Sequence, residues 1–201
     1  MDSDIYRTIL EPSSEVLFKV KNSKFFGYAF PLQDKDEVKV YLESLKKKHY
    51  SARHYCYAYK LGTANMIFRA NDDGEPNNSA GIPIYRQIQS FKVTNILIVV
   101  VRYFGGIKLG IGGLINAYGN TAQKALQESN IIQRTINMEY LIKFDYKNMD
   151  KVMRIIKERN LTIVSQKLEL DCELQISVRK KESEYVFGIF NDLFNVSIKL
   201  L

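Results

Sequence analysis

Two hydrophobic periods divide this chain. Apolar residues run through Tyr6–Ile9 and Val16–Phe30 on either side of the polar turn EPSS, and both segments predict strands. From Asp34 onward the period changes. Val38, Tyr41, Leu42 and Leu45 fall at i, i+3, i+4 and i+7, one buried stripe of a helix. Lys46, Lys47 and Lys48 crowd its last turn, where cations complement the helix dipole. Arg53–Leu61 and Met66–Ala70 return to a strand pattern, the second leading into the polar loop NDDGEPNNSAG, and Pro83–Phe91 predicts a short helix. Asn95–Phe104 is apolar for nearly its whole length and rich in β-branched residues, which predicts a central strand buried on both faces. After a glycine-rich break, Leu114, Ala117, Tyr118, Thr121 and Ala125 keep helical spacing to about Ser129.

Beyond a junction expected at Asn130–Ile136 the pattern is regular. Met138–Tyr146 predicts a strand, Asn148–Arg159 a helix, Thr162–Leu170 and Cys172–Arg179 two strands, Glu182–Asn195 a helix and Val196–Leu200 a last strand. The order βαββαβ is the ferredoxin-like arrangement. It contains no histidine and no clustered polar motif, so it reads as a scaffold or docking module. The expected division is a domain at 1–134 followed by a ferredoxin-like domain at 135–201.

Composition narrows the class. A chain of 201 residues with 46% hydrophobic and 25% charged residues can bury a substantial core. The N-terminus MDSDIYRTIL lacks the positive charge and apolar segment of a signal peptide, and no apolar run approaches a membrane span, so a cytoplasmic location is expected. Cys56 and Cys172 are lone cysteines without metal-ligand spacing, which predicts two buried thiols and no metal. The net charge of +7 lies almost wholly before residue 137, where 18 Lys and Arg face 12 Asp and Glu. That asymmetry favours an anionic partner such as nucleic acid.

Three stretches carry candidate chemistry. The first is VVVRYFGGIKLGIGGL, with Gly105, Gly106, Gly110, Gly112 and Gly113 inside nine residues. A glycine-rich turn between a buried strand and a helix gathers unpaired backbone N–H groups ahead of the helix dipole, a phosphate site to which Arg102 and Lys108 would add charge. A tight turn that lets the helix settle on the sheet accounts for the same glycines. Neither nucleotide motif is complete: Ile111-Gly112 stands where a P-loop needs Lys-Ser or Lys-Thr, and Ile115 where a dinucleotide fingerprint needs glycine.

The second stretch is ARHYCYAY. As a strand it places Arg53, Tyr55, Tyr57 and Tyr59 on one face, which could stack on bases, although aromatic residues also simply favour strands. The third is NDDGEP, whose carboxylates do not follow the spacing of a calcium loop and suit an Asx turn with Gly74 at positive φ. His54 with Asp72 or Asp73 is an alternative acid–base pair, but no serine or cysteine shows a nucleophile signature.

Two runs carry a family resemblance. Asp72-Asp73-Gly74-Glu75-Pro76 with Ala80-Gly81-Ile82-Pro83, and then Arg102–Leu114, resemble the two signatures of the Impact family. Ser23-Lys24-Phe25 and His54-Tyr55-Cys56-Tyr57-Ala58 are similar to further family positions. The chain departs at Asn77-Asn78-Ser79, where the family commonly has Ser-Gly-Thr, and near Asn116, where it has an arginine. The resemblance implies an α+β protein. An N-terminal domain of the ribosomal-protein-S5-domain-2-like fold precedes the ferredoxin-like domain, a pair that looks like the last two domains of the translocating elongation factor. Eukaryotic relatives are regulators that bind a ribosome-associated activator of an initiation-factor kinase.

The expectation is therefore a non-enzymatic, cofactor-free protein that associates with RNA or the ribosome, or with a translation-associated protein. Arg53, Tyr55, Tyr57, Arg102, Lys108 and the five loop glycines would form its nucleic-acid or phosphate site. Two alternatives stand beside it: an enzyme or binder of a phosphorylated small molecule using the glycine loop, and a protein-docking module.

Overall fold

A computed structural model describes residues 4–201. The chain divides into two compact units, one spanning Tyr6–Arg134, the other comprising Thr135–Leu201 with Asp4 and Ile5.

The larger unit is built on a five-stranded antiparallel sheet. Its strands are β2 (Val16–Val20), β3 (Ser23–Pro31), β4 (His54–Leu61), β5 (Ile67–Asn71) and β6 (Ile96–Tyr103), in the order β2-β3-β6-β4-β5. β2 and β3 form a hairpin across Lys21 and Asn22, both at positive φ, as a two-residue turn between twisted strands requires. β6 lies at the centre, and its unbroken apolar run is explained by helices on both faces. Ile96, Ile98 and Val100 pack beneath α2 (Gly81–Ser90) and α3 (Gly110–Gln127), while Leu97, Val99 and Val101 pack beneath α1 (Glu37–Lys48). All six are fully buried, the condition under which a strand gains from apolar residues at every position.

The structure differs from the pattern-based expectation in several places. Val16–Phe30, expected as one strand, is folded into the β2–β3 hairpin, because Lys21 and Asn22 take positive φ and turn the chain back. α2 begins at Gly81 and α3 at Gly110, so part of each glycine-bearing motif is already helical. Residues read as a connection form a strand, β7 (Ile131–Thr135), which pairs with β1 (Ile5–Ile9). In β7 only Ile131 and Ile132 are partly buried while Gln133, Arg134 and Thr135 are exposed, so its sequence lacks the apolar alternation that marks a strand.

The smaller unit contains β8 (Asn137–Asp145), α4 (Met149–Glu158), β9 (Thr162–Lys167), β10 (Asp171–Arg179), α5 (Ser183–Asn191) and β11 (Val196–Leu200). The antiparallel order β11-β8-β10-β9 is that of a ferredoxin-like sheet. Tyr140, Ile142 and Phe144 from β8 and Cys172, Leu174, Ile176 and Val178 from β10 meet Val152, Ile156, Val186 and Phe190 of the helices. On the opposite sheet face, Lys143 bonds Glu173, Gln175 bonds Glu139, and Ser165 bonds Gln175. These side chains satisfy one another and offer no aromatic surface to a base. Asp4 is paired with Arg179 in the same unit, and Ile136 N–H donates to the Asp4 carbonyl at 2.7 Å.

Candidate functional site

The loop from Asn71 to Ala80 is organised by its own acidic residues. Asn71 Oδ1 accepts the Asp73 N–H at 2.8 Å, closing an Asx turn. Asp72 Oδ1 accepts the N–H groups of Ala80 and Gly81 at 2.9 and 2.8 Å, and Oδ2 accepts that of Asn78. Asp72 thereby caps α2, placing a negative charge where the helix has open donors. Asp73 Oδ2 accepts the Tyr55 N–H at 2.7 Å, and Gly74 turns the chain at φ +83°.

Glu75 then points inward. Its Oε1 accepts Arg102 Nη1 at 2.6 Å and the Tyr118 hydroxyl at 2.8 Å, and both charged side chains are more than nine-tenths buried. Cys56 Sγ lies 3.3 Å from the Tyr118 oxygen and 2.9 Å from the Asp72 carbonyl. Burial pushes the Cys56 thiol and the Tyr118 phenol well above their ordinary values, so both stay protonated as donors. The network joins the acidic loop, the centre of the sheet and α3 through four residues far apart in sequence.

Arg102 is thus not a phosphate ligand. Its guanidinium sits 5.5 Å from the ring centroids of both Phe25 and Phe104 and is neutralised by Glu75. Expected at a surface cup, it is instead a buried brace, because β6 carries its side chain under the acidic loop.

The tyrosine face is also corrected. Tyr55, Tyr57 and Tyr59 do share one side of β4, but α1 covers it, and each is at most 9% exposed. The Tyr55 hydroxyl donates to the His49 carbonyl at 2.7 Å, and Lys46 lies over its ring. Their rings cannot stack on bases. Arg53, just before β4, is exposed.

His54 does not pair with either aspartate carboxylate. Its Nδ1 lies 2.9 Å from the Asp73 main-chain oxygen, while both Asp72 and Asp73 carboxylates are engaged by backbone N–H groups. The acid–base arrangement expected of an enzyme is not assembled.

The glycines separate by cause. A Cβ on Gly105 would stand 2.1 Å from the Asn22 carbonyl carbon, and its N–H donates to Ser23 Oγ at 3.1 Å, so the β2–β3 turn fills that space. Gly106 and Gly110 adopt φ +86° and +72°. Gly112 differs from all of these. It is helical, and apart from its chain neighbours and the backbone of its own helix nothing among the described residues lies within 4 Å of where its Cβ would stand. The close contact that lets α3 settle on the sheet comes from Gly27 against Thr121, and not from Gly112.

The loop amides of Gly106, Ile107, Lys108 and Leu109 meet no acceptor among the described residues, and the first amides of α3 continue that run. Lys108 is exposed beside them. So are Phe104, Ile107 and Ile111, each about half exposed, which makes the motif's outer surface apolar as well as cationic.

A second polar cluster escaped sequence reading. Tyr103 lies 3.0 Å from His49 Nδ1, Tyr28 lies 2.5 Å from His49 Nε2, and Tyr28 in turn donates to Glu15. Because Tyr28 has one proton and gives it to Glu15, His49 Nε2–H donates to the Tyr28 oxygen and Nδ1 accepts from Tyr103. The pattern held no sign of this: His49 reads as the end of a lysine-rich helix, and its partners come from separate segments.

Fold and site together define a two-unit α+β protein in which two glycine-bearing motifs are joined by a buried ion pair. The family model of the Impact N-terminal domain matches residues 21–126, a span that includes both motifs. The chain is 30% identical over 190 residues to the IMPACT family member YvyE of Bacillus subtilis, covering 94% of this chain and 87% of that protein. It is 30% identical over 188 residues to the family member YigZ of Escherichia coli, covering 92% of each. A solved structure described as the crystal structure of an hypothetical protein aligns with TM-score 0.70 and 26% identity, over 99% of this chain and 97% of that one. This chain belongs to the IMPACT family.

Proposed function

We propose that this protein is a non-enzymatic regulator of translation that works in the cytoplasm by associating with RNA or the ribosome through the glycine motif. One observation carries the reading: Gly112 lacks a side chain where nothing among the described residues requires its absence. A glycine in a helix costs about 1 kcal/mol relative to alanine. An outside group that approaches the backbone gives that cost a use, and the neighbouring open amides and Lys108 suit a phosphate. No helix among the described residues is long and apolar enough to cross a membrane.

The test is a salt titration of binding to a structured RNA and to ribosomal subunits. Affinity for the unmodified chain is expected to fall with salt, with a log–log slope of about 0.7 to 0.9 per phosphate neutralised. Gly112→Ala and Lys108→Ala are expected to weaken it. No binding at low salt, or a Gly112→Ala variant that binds normally, overturns the reading.

A second reading has its own observation. The half-exposed Phe104, Ile107 and Ile111 around the loop suit a protein partner, since apolar side chains at an interface centre supply most of its binding energy. A pull-down whose partner survives nuclease and high salt, and is lost in Phe104→Ser, favours this docking mode.

A further inference from the structure

α1 covers β3, β6 and β4 but not the edge strand β5, whose residues are absent from the core beneath that helix. A trough of about 370 Å³ is left between the helix and the edge of the sheet. That size falls within the roughly 300–1,000 Å³ of small-molecule sites.

Tyr57 and Tyr59 line the trough, and each is more than nine-tenths buried. Neither hydroxyl has a hydrogen-bond partner among the described residues, and both oxygens open onto the trough and are not enclosed, since the buried side-chain polar atom left unpaired among those residues is Arg102 Nε. The two hydroxyls are thus free to donate to a group that enters the trough. The trough walls are cationic: Lys35, Lys39 and Lys46 come from the α1 side, and Arg69 projects from β5, directly across from Tyr59. Only Lys39 has a carboxylate partner, Glu43 at a long 3.9 Å, leaving Lys35, Lys46 and Arg69 without one among the described residues. Asp36 is the other acidic residue at the trough.

We propose that this trough is a phosphate-binding site in which the Tyr57 and Tyr59 hydroxyls and the Arg69 and Lys46 side chains donate to the phosphate oxygens. Two fixed hydroxyls beside mobile cations complement an anion with several acceptor oxygens better than they complement a base, because the tyrosine rings are covered and only their polar ends are available. The phosphate could belong to a small phosphorylated molecule or to an RNA backbone. The site is separate from the glycine motif, so it stands or falls independently of the function proposed above.

The full chain is titrated with inorganic phosphate, with 5′-AMP and with a defined RNA hairpin, followed by backbone and side-chain NMR at constant ionic strength. Saturable shifts at Tyr57, Tyr59, Lys46 and Arg69 are expected. A Tyr57→Phe/Tyr59→Phe variant keeps both rings in the core and is expected to weaken binding about tenfold or more, as loss of hydrogen bonds to an anion does. Arg69→Ala, at an exposed position, is expected to do likewise without changing the thermal midpoint, and it decides the matter if the double variant does not fold. Saturation by phosphate or AMP identifies a free phosphorylated molecule as the source. Saturation by the hairpin alone, still dependent on these residues, identifies a nucleic-acid backbone. Absence of saturable binding with all three probes, or binding indifferent to both variants, overturns the proposal. Lys108→Ala should leave this site intact, which separates its failure from that of the glycine motif.

Discussion

Glu75 and Arg102 meet at 2.6 Å in the interior, with the Tyr118 hydroxyl as a third member on the same carboxylate oxygen. Their positions couple the acidic loop to the centre of β6. A buried pair of this kind is weak evidence of net stabilisation, but removing one member strands the other. Glu75→Ala is therefore expected to destabilise the larger unit by about 3–5 kcal/mol in urea unfolding. Replacing both charges, as in Glu75→Leu/Arg102→Met, is expected to recover much of that loss. A double variant as unstable as the single one would show that the pair matters through loop geometry and not through charge.

Substituting alanine at two motif glycines should act in opposite directions. Gly105→Ala drives a Cβ into the Asn22–Ser23 backbone and is expected to lower the thermal midpoint sharply. Gly112→Ala meets open space in a helix and is expected to stabilise by about 1 kcal/mol. Thermal unfolding of the two variants reads the contrast directly.

The α2 cap gives a third expectation. Asp72 satisfies the N–H groups of Asn78, Ala80 and Gly81, so Asp72→Ala leaves three donors without their acceptor. A loss of about 1–2 kcal/mol is expected from the missing cap, measurable by urea unfolding. Hydrogen exchange should quicken at these three amides before it does in β6.

Acid should weaken the fold through His49. Burial, with Lys48 adding to it and Glu15 opposing, holds its pKa below the ordinary 6.5. The unfolded chain therefore takes up a proton at higher pH than the native one, and stability falls as pH drops below 6.5 toward the native value. Glu15 extends the loss to lower pH. Burial raises its pKa, but hydrogen bonds from Lys48 and Tyr28 and the charge of Lys48 outweigh that and hold it below 4.5. Its contribution is lost as the pH falls through that depressed value. Urea unfolding between pH 7.5 and 5 should show the first phase, and His49→Gln should flatten it.

Thiol chemistry supplies the last expectation. Cys56 and Cys172 are both fully buried, and burial raises the Cys56 thiol far above the range in which it ionises. At pH 8 a thiol-reactive dye should label neither at a measurable rate until denaturant is added. Fast labelling of Cys56 in the native chain would contradict the packed network around Tyr118.

Local order along the chain fixed much of this protein. The unbroken apolar run of β6 can be stable only between two layers, and the alternation in β8 and β10 dictates which residues enter the ferredoxin-like core. Helix stripes such as Val38 with Leu45 follow from the same periodicity. Tertiary packing alone settled what those patterns leave open. A period of two assigns Tyr55, Tyr57 and Tyr59 to one face of β4 but carries no information on what covers that face, and α1 does. Spacing shows five glycines near one another, yet only the hairpin turn against Gly105 and the open space beside Gly112 tell their roles apart. Glu75 and Arg102, 27 residues apart, and His49 with Tyr28 and Tyr103, meet through folding and not through sequence neighbourhood. Periodicity reports which side of an element is apolar; contacts between distant elements arise only when the chain closes on itself.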